Sequence, residues 1–122
     1  MAGTIVADQL QDGAGNSTSM DNAIYGSAKA WVNFNGTVAT PSTIRASYNV
    51  SSITKNGTGD YTVNFTNAFA DSNYVMAGSS SATAGANFAV WTYSMATTNI
   101  RVQAGNYAAY ADGSIMSVSI FR

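Results

Sequence analysis

The chain has 122 residues, room for one domain, a formal charge of −1 and only 9 % charged residues, against roughly 25 % in an average protein. It contains no Cys, no His and no Glu. Those absences exclude a disulfide framework, a thiolate or imidazole metal site, a cysteine nucleophile and a Ser-His-Asp triad.

In chain order, residues 1–28 carry one short apolar run, Thr4 to Leu10, read as a strand over 4–10. The start has neither a basic n-region nor a long apolar h-region, so it does not read as a secretory signal. A polar, turn-rich stretch follows from Gln11 to Asp21. Within it, Asp12-Gly13-Ala14-Gly15-Asn16 looks like half of a calcium loop. It lacks the spaced acids and closing Glu of such a loop, and reads instead as an Asx turn. Residues 1–28 are therefore expected to form an N-terminal arm or leading strand. Residues 29–122 hold both Trp, all five Phe and six of the seven Tyr, and are expected to form the packed module.

Strands are expected over 30–35, 44–50, 61–66, 73–79, 87–94, 98–104 and 116–121. In the clearest of them one apolar face alternates with one polar face, the period of a half-buried strand. Met116, Val118 and Ile120 alternate with Ser117, Ser119 and Phe121. Tyr61, Val63 and Phe65 alternate with Thr62, Asn64 and Thr66. Ile44, Ala46, Tyr48 and Val50 alternate with Arg45, Ser47 and Asn49. The run 87–94 is apolar on both faces, which places it centrally in a sheet or sets one face against a partner. Asn56-Gly57 and Gly59-Asp60 mark a hairpin loop; Asn35-Gly36, Ala84-Gly85, Gly105-Asn106 and Asp112-Gly113 mark further turns. Val and Ile total 16 against a single Leu, a bias toward pleated surfaces and away from helix. The expected fold is all-β: an antiparallel β-sandwich or jelly roll of about eight strands, preceded by the short arm. Ala and Ser at inward positions suggest a thin core.

Candidate chemistry is sparse. The acids are Asp8, Asp12, Asp21, Asp60, Asp71 and Asp112, and the bases Lys29, Arg45, Lys55, Arg101 and Arg122. No spacing suggests a catalytic carboxylate pair, so no enzyme, catalytic residue, cofactor or metal is expected. Five scattered cations do not make a nucleic-acid face, and no apolar run reaches the roughly 18 residues of a membrane span. The sequons at Asn16, Asn35, Asn49, Asn56 and Asn64 are what chance supplies in a chain with 28 Ser and Thr and 12 Asn. Trp31, Trp91, Tyr93, Tyr107 and Tyr110 could form an aromatic platform for sugar rings, but both Trp are read as core anchors of the sandwich. Candidate ligand contacts fall in two loop regions, at Ser80, Thr83 and Asn87 and at Asn106, Tyr107, Tyr110 and Asp112. So few charges on a β surface favour assembly with sister copies, since soluble monomers carry more.

Two segments carry a family resemblance. One is Ser27-Ala28-Lys29-Ala30-Trp31-Val32-Asn33-Phe34-Asn35-Gly36-Thr37. The other runs from Ile44-Arg45-Ala46-Ser47-Tyr48-Asn49-Val50 through Asn56-Gly57-Thr58-Gly59-Asp60-Tyr61-Thr62-Val63-Asn64-Phe65. Together they resemble a module of tailed-bacteriophage virion proteins found in marine and cyanobacterial phages. That module forms the C-terminal part of tail fibres or a small stand-alone structural protein. The resemblance continues through Asn73-Tyr74 and fades after about residue 80. It implies a virion structural protein, a homotrimer, with no catalytic residue to carry over. A fibre module follows a long stalk, whereas here it begins about 28 residues from Met1. Two placements are therefore expected. One is a short fibre or tail-tip module attaching to a host-surface glycan or protein. The other is a capsid or tail decoration protein that stabilises the particle through its N-terminal arm and the side near Trp31–Gly36, with no ligand of its own.

Overall fold

The structure is a computed structural model that describes residues 2–81, 89–106 and 108–122. Period-2 alternation in the second part of the chain builds two antiparallel sheets. The first has the order β4-β3-β10-β7, from Thr43–Tyr48, Ala28–Asn35, Met116–Phe121 and Val75–Ser80. The second has the order β5-β6-β9-β8, from Val50–Gly57, Asp60–Phe65, Asn99–Gly105 and Ala89–Met95. These eight strands form a β-sandwich, as expected.

The inner faces close on one core. Ala30, Val32, Phe34, Met116, Val118 and Ile120 of the first sheet meet Ile53, Tyr61, Val63, Phe65, Ile100, Val102 and Ala104 of the second, all buried. Each large side chain removed from water contributes about 1.5–3 kcal/mol. Phe34 and Tyr61 meet edge to face with ring centroids 5.2 Å apart. The expectation of a thin Ala/Ser core holds for Ala30 and Ala104 and is otherwise corrected. The small side chains Ala46, Ala77, Ser79, Ser117 and Ser119 turn outward. There the Ser117 hydroxyl accepts from Asn33 and the Ser119 hydroxyl donates to the Ala77 carbonyl, and branched and aromatic residues of opposite parity fill most of the interior.

The alternation at 44–50 does not belong to one strand. β4 ends at Tyr48 in the first sheet and β5 starts at Val50 in the second. The residue between them, Asn49, has φ 53°, the left-handed region in which Asn is among the few residues at ease. Its side chain fixes the corner. Nδ2 donates to the carbonyls of Lys29 and Asn67, each at 3.2 Å, and Oδ1 accepts from the Asn67 amide at 2.7 Å.

The first part of the chain differs most from expectation. Instead of a strand over 4–10, only Gln9–Gln11 (β1) pairs, with Ser17–Ser19 (β2). The turn between them is the expected Asx turn: Asp12 Oδ1 accepts from the amides of Ala14 and Asn16 at 2.9 Å. A short helix not foreseen, α1 (Met20–Gly26), follows. Ser19 caps it by accepting from the Asn22 amide at 3.3 Å. Lys29 closes its other end, donating to the carbonyls of Ile24 and Ser27, where the helix dipole favours a cation. Ile5, Val6 and Tyr25 of this arm are exposed.

The strand directions give the sandwich two unlike ends. The arm enters β3 at one end, where Arg122 also pairs with Asp71 at 2.5 Å. β3, β5, β7 and β9 finish at the other end, and β4, β6 and β8 finish on the arm's side.

Candidate functional site

The loop end is closed by one carboxylate. Asp112 Oδ2 lies 2.6 Å from Lys55 Nζ. Its Oδ1 accepts from the Gly59 amide at 2.8 Å and the Tyr61 hydroxyl at 2.6 Å. That hydroxyl also lies 3.0 Å from the Gly36 carbonyl. The backbone packs closely here because two positions lack a side chain. A Cβ on Gly59, whose φ is +63°, would sit 2.4 Å from the Ala104 carbonyl. A Cβ on Gly36 would sit 2.8 Å from the Gly113 carbonyl. Asp112, expected as a ligand contact, is thus committed to joining three loops. Burial alone would raise its carboxyl pKa, but Lys55, Tyr61 and the Gly59 amide outweigh that and hold it below the usual carboxylate range. Burial and the Asp112 charge push the Tyr61 phenol up.

Two more of the expected contacts are also engaged. Asn106 Oδ1 accepts from the amides of Ala108 and Ala109 at 2.9 Å, shaping the turn after β9. Ser80 is half-buried at the end of β7, its hydroxyl 3.4 Å from the Ser81 carbonyl. Tyr110 is exposed. Thr83, Asn87 and Tyr107 lie outside the described residues.

A different surface gathers the aromatic side chains. Among the described residues β8 is an edge strand paired with β9, which corrects the central position and leaves the alternative of one face turned to a partner. Its second apolar face turns outward. Trp91 stands opposite Gln103, and Tyr93 sits at a register shift between Thr92 and Ser94. The chain returns after β9 so that Tyr110 bridges Gly105. That brings the Tyr110 ring 5.9 Å from the Trp91 ring, inclined by 36°. Trp91 is therefore no core anchor. Trp31 is not one either: it stands 40 % exposed on the outer face of the other sheet. Sequence parity explains both. Trp31 shares its phase with the outward Asn33, and Trp91 lies opposite Gln103, whose strand turns Ile100, Val102 and Ala104 inward.

A polar chain runs beside the outward aromatics on β8. Trp91 Nε1 donates to Gln103 Oε1 at 3.1 Å, and Gln103 Nε2 donates to Asp60 Oδ2 at 3.3 Å. Arg101 grips both Asp60 oxygens, at 2.8 and 2.7 Å. The Arg101 guanidinium lies 4.5 Å from the Tyr93 ring centroid, within cation–π range. Hydrogen bonding from Arg101 lowers the Asp60 carboxyl below its ordinary pKa. Asp60, Arg101 and Gln103 were not singled out from sequence. The available signal was register: Asp60 and Trp91 both pair with Gln103, so all three share one row of one face.

The outer face of the first sheet is different in kind. A groove of about 400 Å³ lies beside Trp31, floored by Ala77, Ser79, Ser117 and Ser119. Tyr48 and Val75 are exposed on the same face. Searches of protein-family models, curated proteins and solved structures return no match to this chain. Among the described residues, no three His, Cys, Asp or Glu side chains cluster as a metal site would require.

Proposed function

We propose that the chain is a bacteriophage virion structural protein, a short trimeric fibre or tail-tip module that attaches to the host surface. The observation that carries this reading is the two-ended build. An arm with exposed Ile5 and Val6 enters at one end, and the β3–β4 and β5–β6 loops and the Asp112 segment that joins them lie at the other. Such a module docks to its particle by one end and presents the other outward. The resemblance of residues 27–37 and 44–65 to phage tail-fibre modules supports the same role. Self-association uses the outer face of β4-β3-β10-β7, where Trp31, Tyr48 and Val75 stand among Ala and Ser. Burying such a face desolvates few charges. Attachment then gains from several linked copies, each binding weakly.

Two measurements test this. Sedimentation at micromolar concentration should give three times the 12.7 kDa chain mass. Ser117→Arg, which places a cation on the proposed contact, should give folded monomers by circular dichroism. A wild-type monomer defeats the trimer. In whole-cell binding, fluorescent trimer should label host bacteria and the Ser117→Arg monomer should label them far less. Absence of labelling by the trimer defeats host attachment.

The exposed apolar residues of the arm also favour the second reading, a decoration protein that stabilises the particle. In both readings the arm is the anchor, so particles assembled with a chain lacking residues 2–20 should lose this protein. Full occupancy by the truncated chain would rule out the arm as anchor. Images of intact virions separate the two placements: tail tip for the first, shell or tail surface for the second.

A further inference from the structure

We propose that the outer face of β5-β6-β9-β8 is a carbohydrate site, with Trp91, Tyr93 and Tyr110 as the stacking surface, Arg101 as the exposed donor that meets sugar hydroxyls, and Asp60 and Gln103 as the largely buried groups that hold both in place, selective for neutral pyranose sugars. It builds on the attachment reading by naming the ligand class and by moving the contact from the loop tips to a sheet face.

Three observations carry it. First, the aromatics have no folding role that requires this face. The core is already filled from the other side of the same strands, and Tyr93 and Tyr110 remain 59 % and 53 % exposed. A pyranose ring offers a face of C–H bonds that suits such rings and an equatorial rim of hydroxyls that does not. The surface beside the rings must therefore supply polar groups, and here the Arg101 guanidinium, its side chain 36 % exposed, borders them.

Second, the surface is held in place before any ligand arrives. Gln103 is 6 % exposed and fixes the indole through its hydrogen bond from Trp91. Asp60 fixes Gln103, and Arg101 fixes Asp60 while packing on Tyr93. One polar chain thus orients an aromatic ring at each end. Binding to a prearranged surface avoids ordering these side chains, which otherwise costs about 0.5–1.5 kcal/mol for each.

Third, the chemistry separates a sugar from other occupants. Protein interfaces deplete charge at their centre, whereas this patch is centred on an ion pair. The opposite sheet face, without such a pair along Trp31, Ser117 and Ser119, suits a second copy better. The guanidinium and carboxylate neutralise each other at 2.7 Å, leaving no net cation on the patch to select an acidic sugar. The ligand class is accordingly neutral.

The test uses intrinsic fluorescence of the full chain. Trp31→Phe leaves Trp91 as the one indole, since the chain has two Trp. The probes are oligosaccharides of glucose, N-acetylglucosamine, mannose and galactose, with oligogalacturonate as the acidic comparison. The expected result is a saturable change in Trp91 emission with at least one neutral series and none that is tighter with oligogalacturonate. In saturation-transfer NMR, Tyr110→Ala and Trp91→Ala should weaken that binding at least about tenfold, with circular dichroism unchanged. Binding that survives both substitutions, or preference for the acidic sugar, overturns the assignment. Silence of Trp91 with all four neutral series while the wild-type trimer labels host cells also overturns it, and leaves attachment standing. Sugar binding without cell labelling supports the site and defeats host attachment.

Discussion

Asp112→Ala is expected to destabilise the fold by about 3 kcal/mol and lower its melting temperature by roughly 10 °C. The substitution removes one carboxylate but leaves three donors behind. Lys55 has a side chain only 16 % exposed, so its charge is left partly desolvated and unpaired. The Gly59 amide loses its acceptor at a packed loop end, and the Tyr61 hydroxyl keeps only the Gly36 carbonyl. The loss of a partner costs more than the pair itself contributes, because the remaining groups keep their desolvation. Asp112→Asn keeps the shape and one acceptor and should cost about half as much. Urea denaturation of the two variants and the wild type measures this. A cost below about 0.5 kcal/mol for Asp112→Ala, the level of an ordinary surface change, would show that the carboxylate does not close the loop end.

The same network sets the pH response. The Asp112 and Asp60 carboxyls are both held below their ordinary values, so their contribution is complete above about pH 4 and is lost as pH falls through the folded values. Tyr61 works in the opposite direction. Its phenol is raised, so its contribution is complete below about pH 10 and is lost above that. Melting temperature against pH should therefore fall on both sides of a neutral plateau. Asp112→Asn should flatten the acid side and shorten the alkaline one.

How far sequence reaches is clearest at particular residues. Inward Met116, Val118 and Ile120, and Tyr61, Val63 and Phe65, follow directly from alternation, because period 2 has only two faces to assign. The hairpin at Gly59 follows from its turn residues. Alternation cannot say which sheet a strand joins, and so 44–50 reads as one strand although it serves two sheets. Nor can it separate the two faces of 87–94 when both are apolar. There the pairing of Trp91 with Gln103 decides, and register is a long-range property set by β9 and β6. The network of Asp60, Arg101 and Gln103 spans 43 residues of chain between Asp60 and Gln103, beyond any local pattern. Asp112 was legible as a turn residue, but its three partners come from the β5–β6 hairpin, which no spacing links to it.

The corner at Asn49 carries the second large effect. Asn49→Ala should cost about 2–4 kcal/mol, and Asn49→Gly about 1 kcal/mol less. Alanine loses all three side-chain hydrogen bonds to Lys29 and Asn67 and also pays the steric penalty of φ 53°. Glycine loses the hydrogen bonds but takes up that backbone without strain. The difference between the two variants thus isolates the conformational share from the bonding share. Equal destabilisation by Ala and Gly would assign the whole effect to the hydrogen bonds, and an Ala variant as stable as wild type would show that the corner is held by the sheets alone. The position matters beyond its local energy. Asn49 ties the start of β3, where the arm enters, to the turn after β6, and passes the chain from one sheet to the other. A slip of one residue there would move Val50 and Ile53 from core to surface and turn Ser52 and Thr54 inward. The sheet face that displays Asp60, Arg101 and Trp91 depends on the same register, since β6 and β9 pair in sequence from β5 outward. Loss of stability in Asn49→Ala should therefore come with loss of the Trp91 fluorescence signature of the folded protein at the same urea concentration.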